Sequence, residues 1–571
     1  MGVSKSSTKV PVMEAVVDIL EDEGVRHVFG IPGAGILPFY KALEGSKVIR
    51  HYLMRHEEGA THAADGYARA SGEVGFCVGT SGPAGTNMVT GLYTARVDSI
   101  PIIAVTGQNV RAQLGKEAFQ AVDISEIVKP VTKKSYCVKE TAQLPQVFRE
   151  AFRVAKEGRP GPILIDLPLD VQRAEVYFDA ESDGPLEIFK PSPNPKKVRR
   201  AIEMILEAKA PVFILGGGVI SGNACEELAK LAEYLAIPVV TSLMGKGGIR
   251  PDHPLYAGQV GVFVDIPPAN KVFLESDLVA GFGCRFSDRH TGALDAYTRG
   301  RRFIHVNIEP DHVGRIVPVD LAIIADVKLT LRGMLEEVRR MTSRKEPSER
   351  VKEIPELRKR LARHVDFDDV PIKPQRVFKE INEFFDEETM FVTTIGLNQM
   401  LSSQLQNIYK PRHYLVPGGA GPLGWDLPAS IGVKLAKPDH LVVDVTGDYG
   451  FGFCVEELAV AVMYNIPVAF IILNDGHLGL IRQAEKYFYS MHYEVDTWYT
   501  DRFIGYPRLI DFVKLAESFG AIGERVEKPG DLKGAFERAA KADHPYIIDV
   551  IIHRETDVST GTSIDAIVER Q

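Results

Sequence analysis

Short apolar runs alternate with amphipathic stretches along almost the whole chain, and this pattern restricts the fold more than any other feature. Between positions 58 and 107, helix-like EGATHAADGYARA and AGTNMVTGLYTA alternate with strand-like VGFCVGT and PIIAVTG. Strands that are buried on both faces have such near-continuous apolar sequences. The alternation predicts an α/β fold, in which a mainly parallel, doubly wound sheet is covered by helices on both faces.

Two polar, proline-containing interruptions divide this pattern into three parts. They lie at about residues 177–197 and 343–375, and a chain of 571 residues is too long for a single core. We therefore predict three domains, each built on a mainly parallel sheet: residues 1–185, 192–342 and 368–571. Their similar sizes are compatible with distant copies of one architecture.

Composition excludes several classes of protein. The formal net charge is 67 − 76 = −9, so no feature favours nucleic acid or an anionic membrane as a partner. The five cysteines are far apart and form no CxxC pair, which argues against a disulfide framework or a zinc site. The N-terminus is polar, and no apolar run approaches the roughly 18 residues of a membrane span. We expect a soluble, cytoplasmic protein.

The most specific local pattern is a strand–helix–strand unit between Leu441 and Asp475. Asp448 follows the first predicted strand, and Asn474 and Asp475 follow the second. Because the carboxyl ends of parallel strands meet at one edge of a sheet, both acidic positions should face one crevice. Carboxylate oxygens suit a hard cation such as Mg²⁺, and the nearby glycines would let the backbone approach a phosphate closely. These glycines are Gly447, Gly450 and Gly452.

This unit resembles the cofactor motif of thiamine-diphosphate-dependent enzymes, which begins with GD and ends with NN or ND. The resemblance implies that Asp448 and Asp475 bind Mg²⁺ through their side chains and His477 through its backbone carbonyl. Asp475 departs from the family, which usually has asparagine there. The segment RHEEGATHAADGYARASG from Arg55 to Gly72 is similar to the activating segment of the acetohydroxyacid synthase and glyoxylate carboligase branch. Its implied activating carboxylate is Glu57, which hydrogen-bonds the aminopyrimidine ring.

Other segments extend the resemblance over most of the chain. TSGPAGTN, TTIGLNQ and GGAGPLGW are similar to segments that contact the cofactor in this family. The resemblance implies catalytic roles for Glu57, Gln120 and Leu423, and an active site shared between two subunits of a homodimer or homotetramer. The implied thiamine-diphosphate contacts are Pro32, Thr80, Pro83, Asn87, Gly396, Leu397, Asn398, Gly421, Leu423, Tyr449, Gly450 and His477.

The middle part contains a glycine-rich turn, LGGGVISGNA, between a predicted strand and a predicted helix. Such a turn is typical of a dinucleotide phosphate site, although the spacing is not a strict GxGxxG. With three further segments it resembles the FAD domain of the same branch, in which the flavin carries no electrons in the net reaction. The implied flavin neighbours are Arg159, Gly216, Gly217, Gly218, Thr241, Leu243, Met244, Gly283, Arg285, Arg289, Asn307, Ile308 and Asp326.

Within this branch the chain looks most similar to the glyoxylate carboligases, which join two glyoxylate molecules to tartronate semialdehyde with loss of CO₂. Acetohydroxyacid synthases commonly carry tryptophan where this chain has Ala484, and methionine where it has Leu423. Glu57 argues against a glyoxylate carboligase, since glyoxylate carboligases characteristically have valine at this position. The alternatives are acetolactate formation from pyruvate, or another 2-oxo acid decarboxylase or lyase. The implied specificity positions are Ala34, Phe119, Ile481 and Ala484.

Two readings from other classes are weaker. A noncatalytic homologue that only binds a nucleotide would be expected to lack Asp448 or Glu57, and both are present. A nicotinamide-dependent oxidoreductase is suggested by the glycine-rich turn at Gly216 alone. The expected substrates are therefore small 2-oxo acids, with thiamine diphosphate, Mg²⁺ and FAD as cofactors.

Overall fold

In a computed structural model the chain forms three six-stranded, entirely parallel sheets with helices between the strands. The structure describes residues 8–179, 184–497, 499–500 and 507–570. The predicted α/β class with three mainly parallel sheets is confirmed. The sheets fall within the three predicted segments, whose exact limits stay predictions.

The first sheet has the strand order β3-β2-β4-β5-β7-β6. Its central strands are buried along their whole length, as their apolar sequences predict. The first eight strands are β1 Thr8–Pro11, β2 His27–Gly30, β3 Arg50–Leu53, β4 Gly75–Gly79, β5 Ile102–Gln108, β6 Lys134–Cys137, β7 Ile163–Pro168 and β8 Glu175–Phe178. The helices are α1 Val12–Asp22, α2 Leu37–Leu43, α3 Glu57–Ser71, α4 Pro83–Asn87, α5 Val89–Asp98, α6 Ile124–Ile127, α7 Leu144–Lys156 and α8 Leu169–Gln172.

The middle sheet has the order β11-β10-β9-β12-β13-β14, which is the 3-2-1-4-5-6 order of dinucleotide-binding folds. Ligands in such sheets bind at the carboxyl ends of the strands where the order reverses, here between β9 and β12. The strands are β9 Pro211–Leu215, β10 Val239–Thr241, β11 Tyr256–Gln259, β12 Leu278–Phe282, β13 Arg302–Asn307 and β14 Leu321–Ile324. The helices are α9 Pro195–Glu207, α10 Gly217–Ser221, α11 Cys225–Leu235, α12 Pro267–Leu274, α13 Asp288–Thr291, α14 Leu294–Thr298 and α15 Val327–Met341.

The third sheet has the order β16-β15-β17-β18-β22-β21. If each sheet's strands are counted along the chain, the first and third sheets have the same order, 2-1-3-4-6-5. The remaining strands are β15 Met390–Val392, β16 Tyr414–Leu415, β17 Val442–Gly447, β18 Ala469–Asn474, β19 Tyr499–Thr500, β20 Pro507–Arg508, β21 Ile522–Val526, β22 Tyr546–Ile551, β23 Thr560–Gly561 and β24 Ile567–Val568. The helices are α16 Glu349–Lys352, α17 Ile354–Arg360, α18 Pro374–Phe384, α19 Leu397–Leu405, α20 Asp426–Ala436, α21 Asp448–Gly452, α22 Leu458–Met463, α23 Gly479–Ala484, α24 Phe512–Phe519 and α25 Leu532–Lys541.

The first and third domains share one apolar core, which is closed by helices α3 and α20. A Cβ atom on Gly66 of α3 would overlap the backbone of Ala429, and one on Gly432 of α20 would overlap the carbonyl oxygen of Ala63. The two helices therefore approach within a distance that only glycine permits. Trp425, at the start of α20, is completely buried in the shared core.

The interruptions differ in detail from their prediction. The first was expected to begin near Tyr177, but Glu175–Phe178 is a strand that pairs antiparallel with β1. Residues 184–194 do form a connection without helix or strand, and positions 180–183 lie outside the described residues. The second interruption contains the short helices α16 and α17. In the described part of the chain, no helix is long and apolar enough to cross a membrane.

Candidate functional site

Asp448 and Asp475 lie at the carboxyl ends of two neighbouring strands, β17 and β18, as the sequence predicts. Each is only 6% exposed. Asp448 Oδ2 accepts a hydrogen bond of 3.0 Å from Thr497 Oγ1, and Asp475 Oδ1 accepts one of 2.9 Å from the His477 backbone N–H. The third polar residue, Asn474, is the last residue of β18 and donates its amide N–H to Asp549 at 2.9 Å. It therefore belongs to the sheet rather than to the crevice.

The electrostatics of this pair favour a bound cation. Burial raises the pKa of Asp448 to about 6. Burial, followed by the charge of Asp448, raises the pKa of Asp475 well above its ordinary value. Two buried carboxylates that oppose each other's ionisation are stabilised together by a divalent cation, and Mg²⁺ prefers such oxygen ligands. The residues thus fit the predicted metal.

The side chain of His477 contacts Asp496. Its Nδ1 lies 2.8 Å from Asp496 Oδ1, and the two residues form an isolated antiparallel bridge. Burial lowers the pKa of His477. This arrangement leaves the backbone carbonyl as the part of His477 that suits the predicted metal role.

Two segments predicted to contact the cofactor meet beside α21. Leu423 is half-buried, and its Cδ2 would lie 3.8 Å from a Cβ atom on Gly450. Asn398 donates from Nδ2 to Thr394 O at 2.8 Å, so its amide braces the loop that precedes α19. Gly396 in this loop has φ of 138°. The fold thus brings Gly396, Asn398, Leu423 and Gly450 to one side of the crevice.

Glu57 is the first residue of α3, and it is 9% exposed. Its Oε2 accepts a hydrogen bond of 2.9 Å from Asn87 Nδ2 on α4. The helix N-terminus presents backbone N–H groups that favour a nearby negative charge. Asn87, predicted as a cofactor contact, therefore uses its amide to hold the carboxylate. The neighbouring Glu58 instead lies 3.3 Å from His62 Nε2.

Glu457 is a residue of this site for which the sequence provides no signal. Its carboxylate accepts backbone hydrogen bonds from Arg55 at 3.2 Å and His56 at 2.9 Å, directly before α3. A Cβ atom on Gly59 would overlap Glu457 Oε1. Burial raises the pKa of Glu457 to about 8. A side chain of the third domain therefore fixes the start of the helix that carries Glu57.

Several residues predicted to contact substrate or cofactor lie close together in the first domain. Ser81 Oγ donates to Gln120 Oε1 at 3.2 Å, and Gln120 has a positive φ of 57°. The Gly35 backbone N–H donates to Thr80 Oγ1 at 3.1 Å, which places the loop with Pro32 and Ala34 beside Thr80. Phe119 is 85% exposed. Pro83 is the first residue of α4. A Cβ atom on the preceding Gly82 would lie 2.8 Å from Gln120 Cβ, so only glycine fits there.

Helix α23 carries the other two predicted specificity residues. Ile481 is 52% exposed and Ala484 is half-buried. Between them, Arg482 donates to Asp557 Oδ1 at 2.8 Å, and Gln483 exchanges two hydrogen bonds with the backbone of Val558. The C-terminal segment thus fixes α23 on its buried side and leaves the side of Ile481 open.

A separate cavity of about 520 Å³ lies where residues from all three domains meet. It opens at the carboxyl ends of β9 and β12, where the middle strand order reverses. Two of the thirteen predicted flavin neighbours do not line it: Thr241 is buried beside Tyr256, and a Cβ on Gly216 would overlap the Gly283 backbone. Those that line it are Arg159, Gly217, Gly218, Leu243, Met244, Gly283, Arg285, Arg289, Asn307, Ile308 and Asp326.

The cavity is also lined by residues of the other two domains that were not among the predicted flavin neighbours. Arg69 and Asp98 belong to the first domain, and Arg412 belongs to the third. Arg69 Nη2 lies 3.1 Å from Asp98 Oδ2. Burial lowers the pKa of Arg159 to about 10, with a further contribution from the charge of Arg96. Several arginines in one half-enclosed space suit a ligand with phosphate groups.

Comparison with known families agrees with this geometry. Three family models match: the thiamine pyrophosphate enzyme N-terminal TPP binding domain at residues 11–127, the central domain at 198–334, and the C-terminal TPP binding domain at 394–550. The chain belongs to the thiamine-pyrophosphate-dependent enzymes. It is a carboligase of this family, and the predicted cofactor, thiamine diphosphate (thiamine pyrophosphate), is confirmed at the level of these domains.

Similar proteins cover nearly the whole chain. A glyoxylate carboligase of Escherichia coli O157:H7 is 44% identical over 98% of this chain and 96% of its own length. A probable acetolactate synthase large subunit of Methanococcus aeolicus is 40% identical over 96% of this chain and 92% of its own length. A third relative, the probable acetolactate synthase large subunit of Methanocaldococcus jannaschii, is 41% identical over 94% of this chain and 91% of its own length.

Proposed function

We propose that this enzyme joins two glyoxylate molecules to tartronate semialdehyde and releases carbon dioxide. The observation that carries the proposal is the 44% identity to a glyoxylate carboligase over nearly the full length of both chains. Ala484 on α23 supports it, since a small side chain leaves little apolar surface for the larger second substrate of an acetohydroxyacid synthase. Small 2-oxo acids are the substrates in either case.

Residues of the third domain would bind the metal and the diphosphate, and residues of the first domain would exchange a proton and bind the substrate. When bound, thiamine diphosphate supplies the carbon nucleophile and accepts the electron pair released by decarboxylation. Asp448, Asp475 and the His477 carbonyl would hold Mg²⁺ and, through it, the diphosphate. Glu57 Oε2 is occupied by Asn87, so Oε1 is the oxygen that remains for exchanging a proton. Gln120 accepts from Ser81 through Oε1, so its amide N–H groups remain as donors to a substrate carboxylate.

Acetolactate formation from pyruvate is the second candidate, because a specific observation favours it. Glu57 is retained where the glyoxylate carboligases have valine, and it is buried and hydrogen-bonded as an acid–base residue would be. The acetolactate synthase relatives at 40% and 41% identity are almost as similar. Glyoxylate and pyruvate must therefore be compared directly.

The deciding experiment offers each acid separately to the purified enzyme with thiamine diphosphate, Mg²⁺ and FAD. Tartronate semialdehyde and CO₂ from glyoxylate, with little acetolactate from pyruvate, are expected. Acetolactate as the main product would establish the second candidate instead. Glu57→Gln should reduce turnover at least about a hundredfold, the scale of an acid–base contribution. Asp448→Asn should also reduce turnover, because a carboxylate ligand of the metal is lost. Glu58→Gln is the matched control, because Glu58 contacts His62 and should leave turnover unchanged.

We further propose that the cavity between the domains holds FAD. Its volume of about 520 Å³, its position where the middle strand order reverses, and its arginine-rich lining support a dinucleotide. Flavin absorbance after gel filtration, and its loss in Arg285→Ala, would test this. Arg250→Ala is the control, because Arg250 is an exposed arginine that pairs with Asp252 and Glu387 and does not line the cavity. Unchanged flavin retention in Arg285→Ala would contradict the assignment.

We also propose a homodimer or homotetramer in which each active site combines residues of two subunits. In the described part of the chain, no hydrogen bond or ion pair joins Glu57 to Asp448 or Asp475. Residues around the crevices expose large apolar surfaces: Phe119 is 85% exposed, Phe453 51% and Tyr449 42%. Burial of these side chains against a second subunit would complete the site and stabilise the assembly.

A further inference from the structure

Three potential metal ligands meet at the end of the third sheet that is opposite to Asp448. Glu388, His413 and His440 each lie shortly before a strand, namely β15, β16 and β17. These strands are adjacent and parallel in the order β16-β15-β17, so their amino ends meet at one edge. One ligand atom from each of the three side chains lies within 4.8 Å of the other two. In the described part of the chain this is the one group of histidine and acidic residues with such spacing.

In both imidazole rings Nδ1 faces a backbone carbonyl oxygen, which leaves Nε2 as the nitrogen that can bind a metal. His413 Nδ1 lies 2.9 Å from the carbonyl oxygen of Pro411, and His440 Nδ1 lies 2.8 Å from that of Glu388. A carbonyl oxygen only accepts hydrogen bonds, so each Nδ1 carries the hydrogen and each Nε2 has a free lone pair. Histidine ligands in metal sites commonly donate their second ring nitrogen to a backbone carbonyl in this way.

His413 provides an independent indication of a missing partner. Its Nε2 is buried and has no hydrogen-bond partner in the structure. A buried nitrogen acceptor without a partner costs free energy, which a ligand would recover.

Two lysines lie near this group. Lys410 forms an ion pair with Glu388 Oε1, and Lys434 Nζ donates to the carbonyl oxygen of His440 at 2.7 Å. The Lys410 pair is exposed, and exposed pairs contribute only about 0–1 kcal/mol. A divalent cation with two imidazole ligands would compete with it easily.

We propose that Glu388, His413 and His440 form a binding site for a divalent transition-metal ion such as Zn²⁺. Two imidazole nitrogens and one carboxylate oxygen are a donor set that Zn²⁺ accepts and that Mg²⁺ does not prefer. In a tetrahedral site the ligand atoms are about 3.4 Å apart, so atoms that lie up to 4.8 Å apart must approach each other on binding. The ion would join the starts of β15, β16 and β17. This site is independent of the proposed reaction.

The test measures Zn²⁺ binding by equilibrium dialysis of the enzyme saturated with thiamine diphosphate and Mg²⁺, so that Asp448 and Asp475 are already occupied. We expect one Zn²⁺ per chain, and at least about tenfold weaker binding in Glu388→Gln and in His440→Gln. Zn²⁺ should also raise the melting temperature of the native enzyme and leave that of Glu388→Gln unchanged. Because Glu388 is exposed, this variant should fold normally.

His253→Gln is the matched control. His253 Nε2 lies 3.2 Å from Glu233 Oε1, and it has the same kind of acidic neighbour without a second histidine. Substituting Co²⁺ gives a second readout, since its visible absorption reports imidazole coordination and should disappear in His413→Gln. Binding of equal strength in the native enzyme, Glu388→Gln and His440→Gln would overturn the proposal, as would the absence of bound Zn²⁺.

Discussion

Glu57 is held by neighbours from two domains. Asn87 of the first domain donates to its carboxylate at 2.9 Å, and Glu457 of the third domain accepts the backbone N–H groups of Arg55 and His56 just before it. The carboxylate is therefore oriented both through its side chain and through its backbone. Neither neighbour needs to touch the substrate to affect turnover.

Asn87→Ala should reduce kcat by about tenfold to a hundredfold, because a displaced acid–base group loses its alignment. The substrate KM should change little. Steady-state kinetics measure both constants. Thr86→Ala, on the exposed side of the same short helix, should behave like the native enzyme. An equal loss in both variants would indicate damage to α4 rather than to Glu57.

Glu457→Gln and Glu457→Ala both remove the ionisable carboxyl, so their stabilities should depend on pH in the same way, but only Glu457→Ala also loses the hydrogen-bond acceptor. Burial raises the folded-state pKa of Glu457 from 4.5 to about 8, so its stabilising contribution is complete below pH 4.5 and is lost as the pH rises through 8. The stability of the Glu457→Gln variant relative to the native chain should therefore increase as the pH rises from about 5 to about 8.5. Removing the acceptor altogether in Glu457→Ala should cost on the order of 1–3 kcal/mol. Urea unfolding at both pH values measures this, and a difference between the native chain and Glu457→Gln that is independent of pH would refute the assignment.

The sequence predicted residues whose positions follow from strand ends, and it missed residues that act between domains. Asp448 and Asp475 could be paired in advance because neighbouring parallel strands end at one edge. Glu457, Asp98 and Arg412 are ordinary charged residues in the sequence, and the partners that they contact in other domains lie far away along the chain. Only the packing of the domains brings these contacts about.

At the scale of elements, helix α3 depends on its close packing against α20. Gly432→Ala should destabilise the enzyme by about 1–3 kcal/mol, the usual cost of overpacking, because the new methyl group overlaps the Ala63 carbonyl oxygen. It should also lower activity, since α3 carries Glu57. Gly530→Ala is the control, because a Cβ there meets no atom within 4 Å. Thermal unfolding compares the two, and equal melting temperatures would contradict the close approach.

Helices and central strands were predictable because their periodic patterns are local, whereas pairings between distant segments were not. The strand β8 was mistaken for the start of a linker, since its partner β1 lies more than 160 residues earlier. The common strand order of the first and third sheets is also invisible in the sequence. Strand order depends on which strands pair, and short apolar strands resemble one another.

At the scale of the whole molecule, a shared active site can be tested by mixing two inactive variants. Glu57→Gln and Asp448→Asn damage opposite halves of each site. If the halves come from different subunits, a mixed dimer contains one intact site, and random exchange of subunits should restore about a quarter of native activity. The measurement is activity after co-refolding or co-expression, with each variant alone as the control. No recovery, with mixed dimers demonstrated, would place both halves of a site in one chain.

The reciprocal contact between α3 and α20 has a consequence for the symmetry of the chain. Each helix connects the second strand of its sheet to the third, and the two sheets have the same strand order. Gly66 contacts Ala429 and Gly432 contacts Ala63, and on each helix the alanine precedes the glycine by three residues. Exchanging the two domains therefore maps this contact onto itself, as a two-fold axis does in a dimer of identical subunits. A single chain already contains a pseudo-dimer, in which one half carries Glu57 and the other half carries Asp448 and Asp475.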